Sequence, residues 1–277
     1  MTGDAEDPIR QSDLPTRFAA GLAMVAVAIL AIYVGGWLFR ALVIAAAALM
    51  LIEWADMHGV GRRWAYVVAA ILVAYLLVVP ERLFPVDEMD DVITTDSFTP
   101  AWTGFSIAAA LAIVSGLVTR RLATFGGFLY VAVPAFALIV LNWIWFGIVY
   151  WLMVVTWATD IFAYFAGRSI GGPKLAPRIS PNKTWAGLIG GIAGAVVFGY
   201  IIAYWLELGS PFLYIGGAMA VVAQAGDLYE SWVKRRAGVK DSGTILPGHG
   251  GVLDRLDGLL PVVLATLALL MAGQWTG

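Results

Sequence analysis

Apolar residues in this chain run in long blocks, and polar residues are confined to the gaps between them. The blocks fall at roughly 18–34, 37–54, 64–80, 101–118, 126–141, 143–165, 186–206, 211–230 and 258–274. A helix needs about 20 apolar residues to cross a bilayer, so the pattern predicts about nine transmembrane helices. Gly35-Gly36 separates the first two blocks, and Trp64, Trp102, Trp143, Trp205, Tyr214 and Trp275 lie near block ends, where amphipathic rings favour the membrane interface. The expected fold class is all-α, a polytopic integral membrane protein. Residues 1–17 form an N-terminal tail, 18–142 an N-terminal transmembrane region, and 143–277 a second region with polar loops at 166–185 and 231–257.

Composition sharpens this picture. The chain has 277 residues, 61% hydrophobic and 13% charged, whereas soluble domains carry about 25% charged residues. It has no cysteine, which excludes disulfides, thiolate nucleophiles and cysteine-based metal sites. His58 and His249 are too few for a histidine-rich metal centre. The tail carries Asp4, Glu6, Asp7 and Asp13 rather than a basic leader, and reads as a cytoplasmic tail, not a secretory signal. No internal repeat, low-complexity tract or separate soluble domain is visible.

Charge distribution sets the orientation. With the N-terminus inside and nine crossings, all 17 lysines and arginines except Arg40 and Arg82 fall on the inner side, as the positive-inside bias requires. Both long polar loops then face the cytoplasm, which places a polar site there. Loop 81–100, with Glu81, Asp87, Glu88, Asp90, Asp91 and Asp96, lies outside and reads as a solvated acidic loop.

The candidate chemistry sits in the inner loops. Asp227, Glu230, Ser231 and Lys234 recur at i, i+3, i+4 and i+7, so they share a helix face. Ionisable groups at membrane depth are costly and face a protein interior or a water-filled cavity. Lys234-Arg235-Arg236 follows, then Lys240-Asp241-Ser242-Gly243 and Pro247-Gly248-His249-Gly250-Gly251. Glycine lets backbone amides approach an anion closely, and successive N–H groups make an anion-binding nest. The island reads as a polyphosphate cradle. Candidate substrate contacts are Lys183, Arg235, Lys240, Asp241, His249, Gly250, Gly251 and Arg255. His249 either donates to a phosphate or shapes the turn.

Asp254 and Asp257 open the last apolar block, three residues apart. They suit Mg²⁺, which takes one or two carboxylates with phosphates and water, and Asp254 equally suits a helix cap. Asp160, within the sixth block, is a proton relay, a structural hydrogen-bond partner or a border of the same pocket. In Ser180-Pro181-Asn182-Lys183-Thr184, Pro181 and Asn182 suit a turn, Thr184 an N-cap and Lys183 a phosphate contact. A capped helix entry with a surface lysine explains that stretch equally well.

Taken together, Ser231-Trp-Val-Lys-Arg, Lys240-Asp241, Pro247-Gly-His-Gly-Gly and Asp254-Arg-Leu-Asp257 resemble the signature of the phosphatidate cytidylyltransferases, also called CDP-diacylglycerol synthases. Asp160, Tyr164 and Arg168 with Ser180–Thr184 are similar to the family's upstream stretch, and Glu53-Trp54 is a weaker echo. Ala186 departs from the Glu or Gln that many members carry there. The resemblance implies a membrane enzyme joining CTP to phosphatidate to give CDP-diacylglycerol and pyrophosphate, with Mg²⁺. It implies that Asp227 and Asp254 hold one or two metal ions, with Asp257 and Asp160 as secondary candidates, and that Asp227, Lys234 and Asp254 are catalytic. It also implies a homodimer in the cell (inner) membrane, with no nucleic-acid partner. Such a reaction suits the residues: a phosphate monoester with a second pKa near 6 is largely dianionic at neutral pH and needs little general-base help. Two rivals remain at this point: an ion or metal transporter using Asp160, Asp227 and Asp254, and a CTP-dependent lipid kinase.

Overall fold

The computed structural model describes residues 21, 25–84, 99–243, 245 and 250–273. The N-terminal tail, most of the acidic outer loop, and Pro247, Gly248 and His249 lie outside the described residues.

Each of the nine apolar blocks overlaps a helix among the described residues, the eighth helix, Gly216–Arg236, being shifted toward the C-terminus of its block. The helices are α1 (Val25–Val34), α2 (Gly36–Met57), α3 (Arg62–Leu83), α4 (Thr99–Thr119), α5 (Leu122–Ile144), α6 (Phe146–Ser169), α7 (Trp185–Trp205), α8 (Gly216–Arg236), a one-turn α9 (Leu253–Leu256) and α10 (Leu259–Met271). Among the described residues, six helices, α2 to α7, are long and apolar enough to cross a membrane. Helices α1 and α10 are shorter. Helix α8 has 21 residues but carries Asp227, Glu230, Lys234, Arg235 and Arg236.

Three local expectations differ from what is found. Loop 166–185 is not irregular: β1 (Lys174–Ala176) and β2 (Ser180–Thr184) pair antiparallel, so the chain is not purely helical. The hairpin turns at residues 177–179, and Pro181 and Asn182 lie in β2, both exposed. A two-stranded ribbon has only edge strands, where proline is tolerated. Finally, Asp254 to Asp257 does not open the last long helix. Pro261 lacks the N–H that would bond the Asp257 carbonyl four residues earlier, so helical hydrogen bonding lapses between α9 and α10 while Asp257 and Gly258 keep right-handed helical backbone angles.

Helix α5 is the spine of the fold. Phe128, Val131, Phe136, Val140 and Leu141 on it are fully buried, and it packs against α2, α3, α4, α6 and α10. Beside it, α7 lies along α6 through a strip of glycines. Gly187 approaches the Ala163 carbonyl, Gly190 that of Phe162 and Gly191 that of Thr159, so a Cβ at each would sit 2.9 Å from backbone oxygen. Small residues spaced this way let two helices approach closely where hydrophobic burial supplies no driving force. Gly190→Leu should push α7 off α6 and cost about 1–3 kcal/mol, as overpacking does. A lowered melting temperature in detergent measures it.

The two helix ends that frame the site are closed in the same way. After α2, the Gly59 N–H donates to the Asp56 carbonyl and the Val60 N–H to that of Ala55, with Gly59 at φ 64°. After α8, the Gly238 N–H donates to Arg235 and the Val239 N–H to Lys234, with Gly238 at φ 75°. Both are Schellman closures, where glycine takes the left-handed position at no steric cost.

Candidate active site

The site forms where the C-terminal ends of α2 and α8 meet β2 and α9. Lys183 on β2 places its Nζ 2.5 Å from Asp227 Oδ2 and 3.0 Å from Gln224 Oε1. That contact ties the first polar loop to α8. Thr184 caps α7, its Oγ1 accepting from the Gly187 N–H at 3.0 Å, and this fixes the strand that carries Lys183. Along α8, the Ser231 hydroxyl donates to Asp227 Oδ1 at 3.3 Å. One turn further, Lys234 Nζ stands 2.5 Å from Glu230 Oε2 and 2.6 Å from Asp254 Oδ1. The spacing read from the sequence therefore makes one polar face, with Lys234 bridging it to α9.

Asp254 organises the glycine loop. It accepts from the Ser242 N–H at 3.0 Å and the Gly251 N–H at 2.8 Å. Burial opposes its ionisation, but Lys234 and the Gly251 and Ser242 amides outweigh this and hold its carboxyl below the usual carboxylate range. Asp257 behaves oppositely. Burial, then the charges of Asp227 and Glu230, push its carboxyl well above that range, against a 2.7 Å hydrogen bond from the Gly258 N–H. Asp160 on α6 lies within reach of the charges of Asp227, Lys183 and Arg255. Asp160, Asp227, Glu230 and Asp257 thus form an acidic group faced by Lys183, Lys234 and Arg255.

Other candidates sit further out. Arg235 braces the loops, donating to the Ile179 carbonyl at 3.5 Å and the Val239 carbonyl at 3.4 Å. Lys240 and Asp241 are exposed, and Arg255, though also exposed, brings its charge to bear on Asp160. Gly250 has φ 81°, and a Cβ there would meet Asp254 Oδ2 at 2.8 Å, so both its conformation and its closeness to Asp254 require glycine.

Glu53 on α2 is the residue that loop motifs alone do not reveal. It is 2% exposed. Its Oε1 accepts from the Val252 N–H at 2.9 Å; its Oε2 accepts from the Leu253 N–H at 2.9 Å and the Ser242 hydroxyl at 3.2 Å. The amides of Ser242, Gly251, Val252 and Leu253 thus serve the protein's own carboxylates. The available signals were the Glu53-Trp54 pair in the family resemblance and a lone acid inside an apolar block, which is costly and marks a polar role.

A cavity of about 320 Å³ opens beside the polar cluster between α5, α8 and α10. Its lining is largely apolar: Leu129, Tyr130, Pro134, Val222, Gly226, Tyr229, Leu260 and Pro261 among others. Gly226 adjoins Asp227, so the apolar cavity and the charged groups are neighbours.

Comparison with known sequences decides the family. The model of the cytidylyltransferase family matches residues 15–272. The chain belongs to the cytidylyltransferase family. A phosphatidate cytidylyltransferase of Brucella abortus is 36% identical over 263 residues, covering 90% of each chain. One from Pseudomonas aeruginosa is 34% identical over 234 residues, 80% of this chain and 84% of the relative. One from Bacillus subtilis reaches 49% over 118 residues, 42% of this chain and 44% of the relative. In this cytidylyltransferase the family match extends over both helical halves, so it takes in Glu53 as well as the polar loops.

Proposed function

We propose that this protein is a phosphatidate cytidylyltransferase, transferring the cytidylyl group of CTP to phosphatidate with release of pyrophosphate. The observation that carries the reading is the convergence of Lys183 with Asp227 and of Lys234 with Asp254 beside an apolar cavity. One substrate is a water-soluble polyanion and the other a lipid, and the site sets lysines paired with carboxylates beside an apolar recess.

A phosphate oxygen of phosphatidate attacks the α-phosphorus of CTP, and the α–β bridging oxygen leaves with pyrophosphate. Such transfer depends on positioning and charge neutralisation. Lys183 and Lys234 supply positive charge to the phosphates, and the cavity along α10 receives acyl chain next to Asp227.

Mg²⁺ fits the donor set. Among the described residues, no three His, Asp or Glu side chains gather to cage a metal. Mg²⁺ takes one or two carboxylates, with phosphate oxygens and water completing its shell. Asp227 and Asp254 would hold it, with Asp257 and Asp160 close by, and its charge would relieve the repulsion among these acids. When bound, Mg²⁺ screens the anionic nucleophile from the triphosphate.

The same proposal sets the site at the cytoplasmic face of the inner membrane, with nine crossings. In support, the helix ends bearing Arg62, Arg121, Arg168 and Lys234 lie on one side, linked by contacts such as Arg121 to the His58 carbonyl and Trp54 to that of Ala123. The proposal includes a homodimer, as the family resemblance implies.

Purified protein with Mg²⁺, phosphatidate and CTP labelled on the α-phosphate should yield labelled CDP-diacylglycerol. CTP labelled on the γ-phosphate should yield labelled pyrophosphate. Label passing from the γ-phosphate to lipid would make the protein a lipid kinase. No turnover of CTP would favour ion transport through the acidic group.

A further inference from the structure

We infer that Glu53 is a positioning residue for this reaction, holding the glycine loop and Asp254 in their working geometry from the opposite half of the chain. The inference rests on the cytidylyltransferase reading and adds a residue that lies outside both polar loops.

Three donors converge on its carboxylate, from Ser242, Val252 and Leu253, residues 189 to 200 positions away in sequence. The two oxygens divide them, and neither lacks a donor. The loop glycines are fitted to this carboxylate. A Cβ on Gly243 would lie 2.8 Å from Glu53 Oε1, and one on Gly251 would lie 2.6 Å from Oε2. Gly251 and Ser242 are also the residues whose amides hold Asp254. Glu53 therefore orients both flanks of the carboxylate that pairs with Lys234.

Its own position is fixed. The neighbouring Trp54 donates Nε1–H to the Ala123 carbonyl at 2.8 Å and occupies the notch left by Gly127 on α5. The Gly59 closure then stops α2 one turn further on. Glu53 is thus a rigid acceptor on a packed helix, and the loop is shaped around it.

Glutamine tests this with the same side-chain size. Its amide offers one acceptor oxygen, so an NH₂ group faces a backbone N–H of Val252 or Leu253. Residues that orient catalytic groups cost about 10–100-fold when altered. Glu53→Gln should lower kcat for CDP-diacylglycerol formation at least about tenfold and raise the Mg²⁺ concentration for half-maximal rate. KM for phosphatidate should stay nearly constant. Hydrogen exchange of the 250–256 backbone should accelerate. Leu51→Ala, a buried change on the same helix, serves as a control of equal or greater thermal destabilisation that keeps kcat. Equal kcat in Glu53→Gln and Leu51→Ala, or unchanged exchange at 250–256, would overturn the role of Glu53. Wild-type protein that makes no CDP-lipid would overturn the cytidylyltransferase reading instead, so the two failures are told apart.

Discussion

Asp227→Asn is expected to reduce CDP-diacylglycerol formation at least about a thousandfold while the protein still folds. Asparagine keeps the size of the side chain and removes only its charge. The Asp227 carboxylate is 30% exposed and sits 2.5 Å from Lys183, so the change strips the nearest partner from the lysine that ties β2 to α8. It also removes one of the two carboxylates proposed for Mg²⁺. Electrostatic stabilisation of transferring phosphate by a metal is worth several kcal/mol, and each 1.36 kcal/mol is tenfold in rate. The fold should survive, because α8 is held elsewhere: Gly226 lies so close to the Asp257 carbonyl that an added Cβ would sit 2.6 Å from it, and Gly216 so close to the Ala195 carbonyl that one would sit 2.5 Å from it. Initial rates with purified variant, beside a circular-dichroism melt, provide the check. Near-normal turnover with saturating Mg²⁺ would remove Asp227 from the reacting centre.

Lys234→Met should damage stability and activity together. The Lys234 side chain is 12% exposed, Glu230 is fully buried and Asp254 is 11% exposed. Removing one partner of a buried ion pair leaves uncompensated charge and costs about 3–5 kcal/mol. Here one ammonium serves two carboxylates, so the loss falls at the upper end. Turnover should fall too, because Asp254 then keeps only its backbone donors. Adding Glu230→Gln removes the most buried orphaned charge and should restore much of the melting temperature. It should not restore turnover, since Asp254 still lacks its lysine. Recovery of both in the double variant would show that Lys234 acts on stability alone.

The helices were legible in the sequence because membrane burial imposes long apolar blocks, and each block overlaps a helix. The shared face of Asp227, Glu230, Ser231 and Lys234 was equally legible, since helical spacing alone sets it. The Thr184 cap could be read for the same local reason. What could not be read depends on distant partners. Glycine-rich backbone signalled amides that hold anions, but local sequence does not say which anion. The carboxylates of Glu53 and Asp254 take the amides of Ser242, Gly251, Val252 and Leu253. The hairpin of β1 and β2 was hidden because Lys174–Ala176 is only three residues long, too short for an alternating pattern to register. The separation of α9 from α10 needed one proline to be weighed against a carbonyl four residues before it.

The reach of α2 into the glycine loop means that the two ends of this polypeptide are not interchangeable parts. A fragment beginning after α4 would retain every residue of the nucleotide signature yet leave three donors around Ser242 and Val252 with no acceptor. Grafting that fragment onto an unrelated membrane anchor would carry over the chemical vocabulary without the geometry. A change at Glu53 in the second helix is therefore felt by a loop nearly two hundred residues downstream.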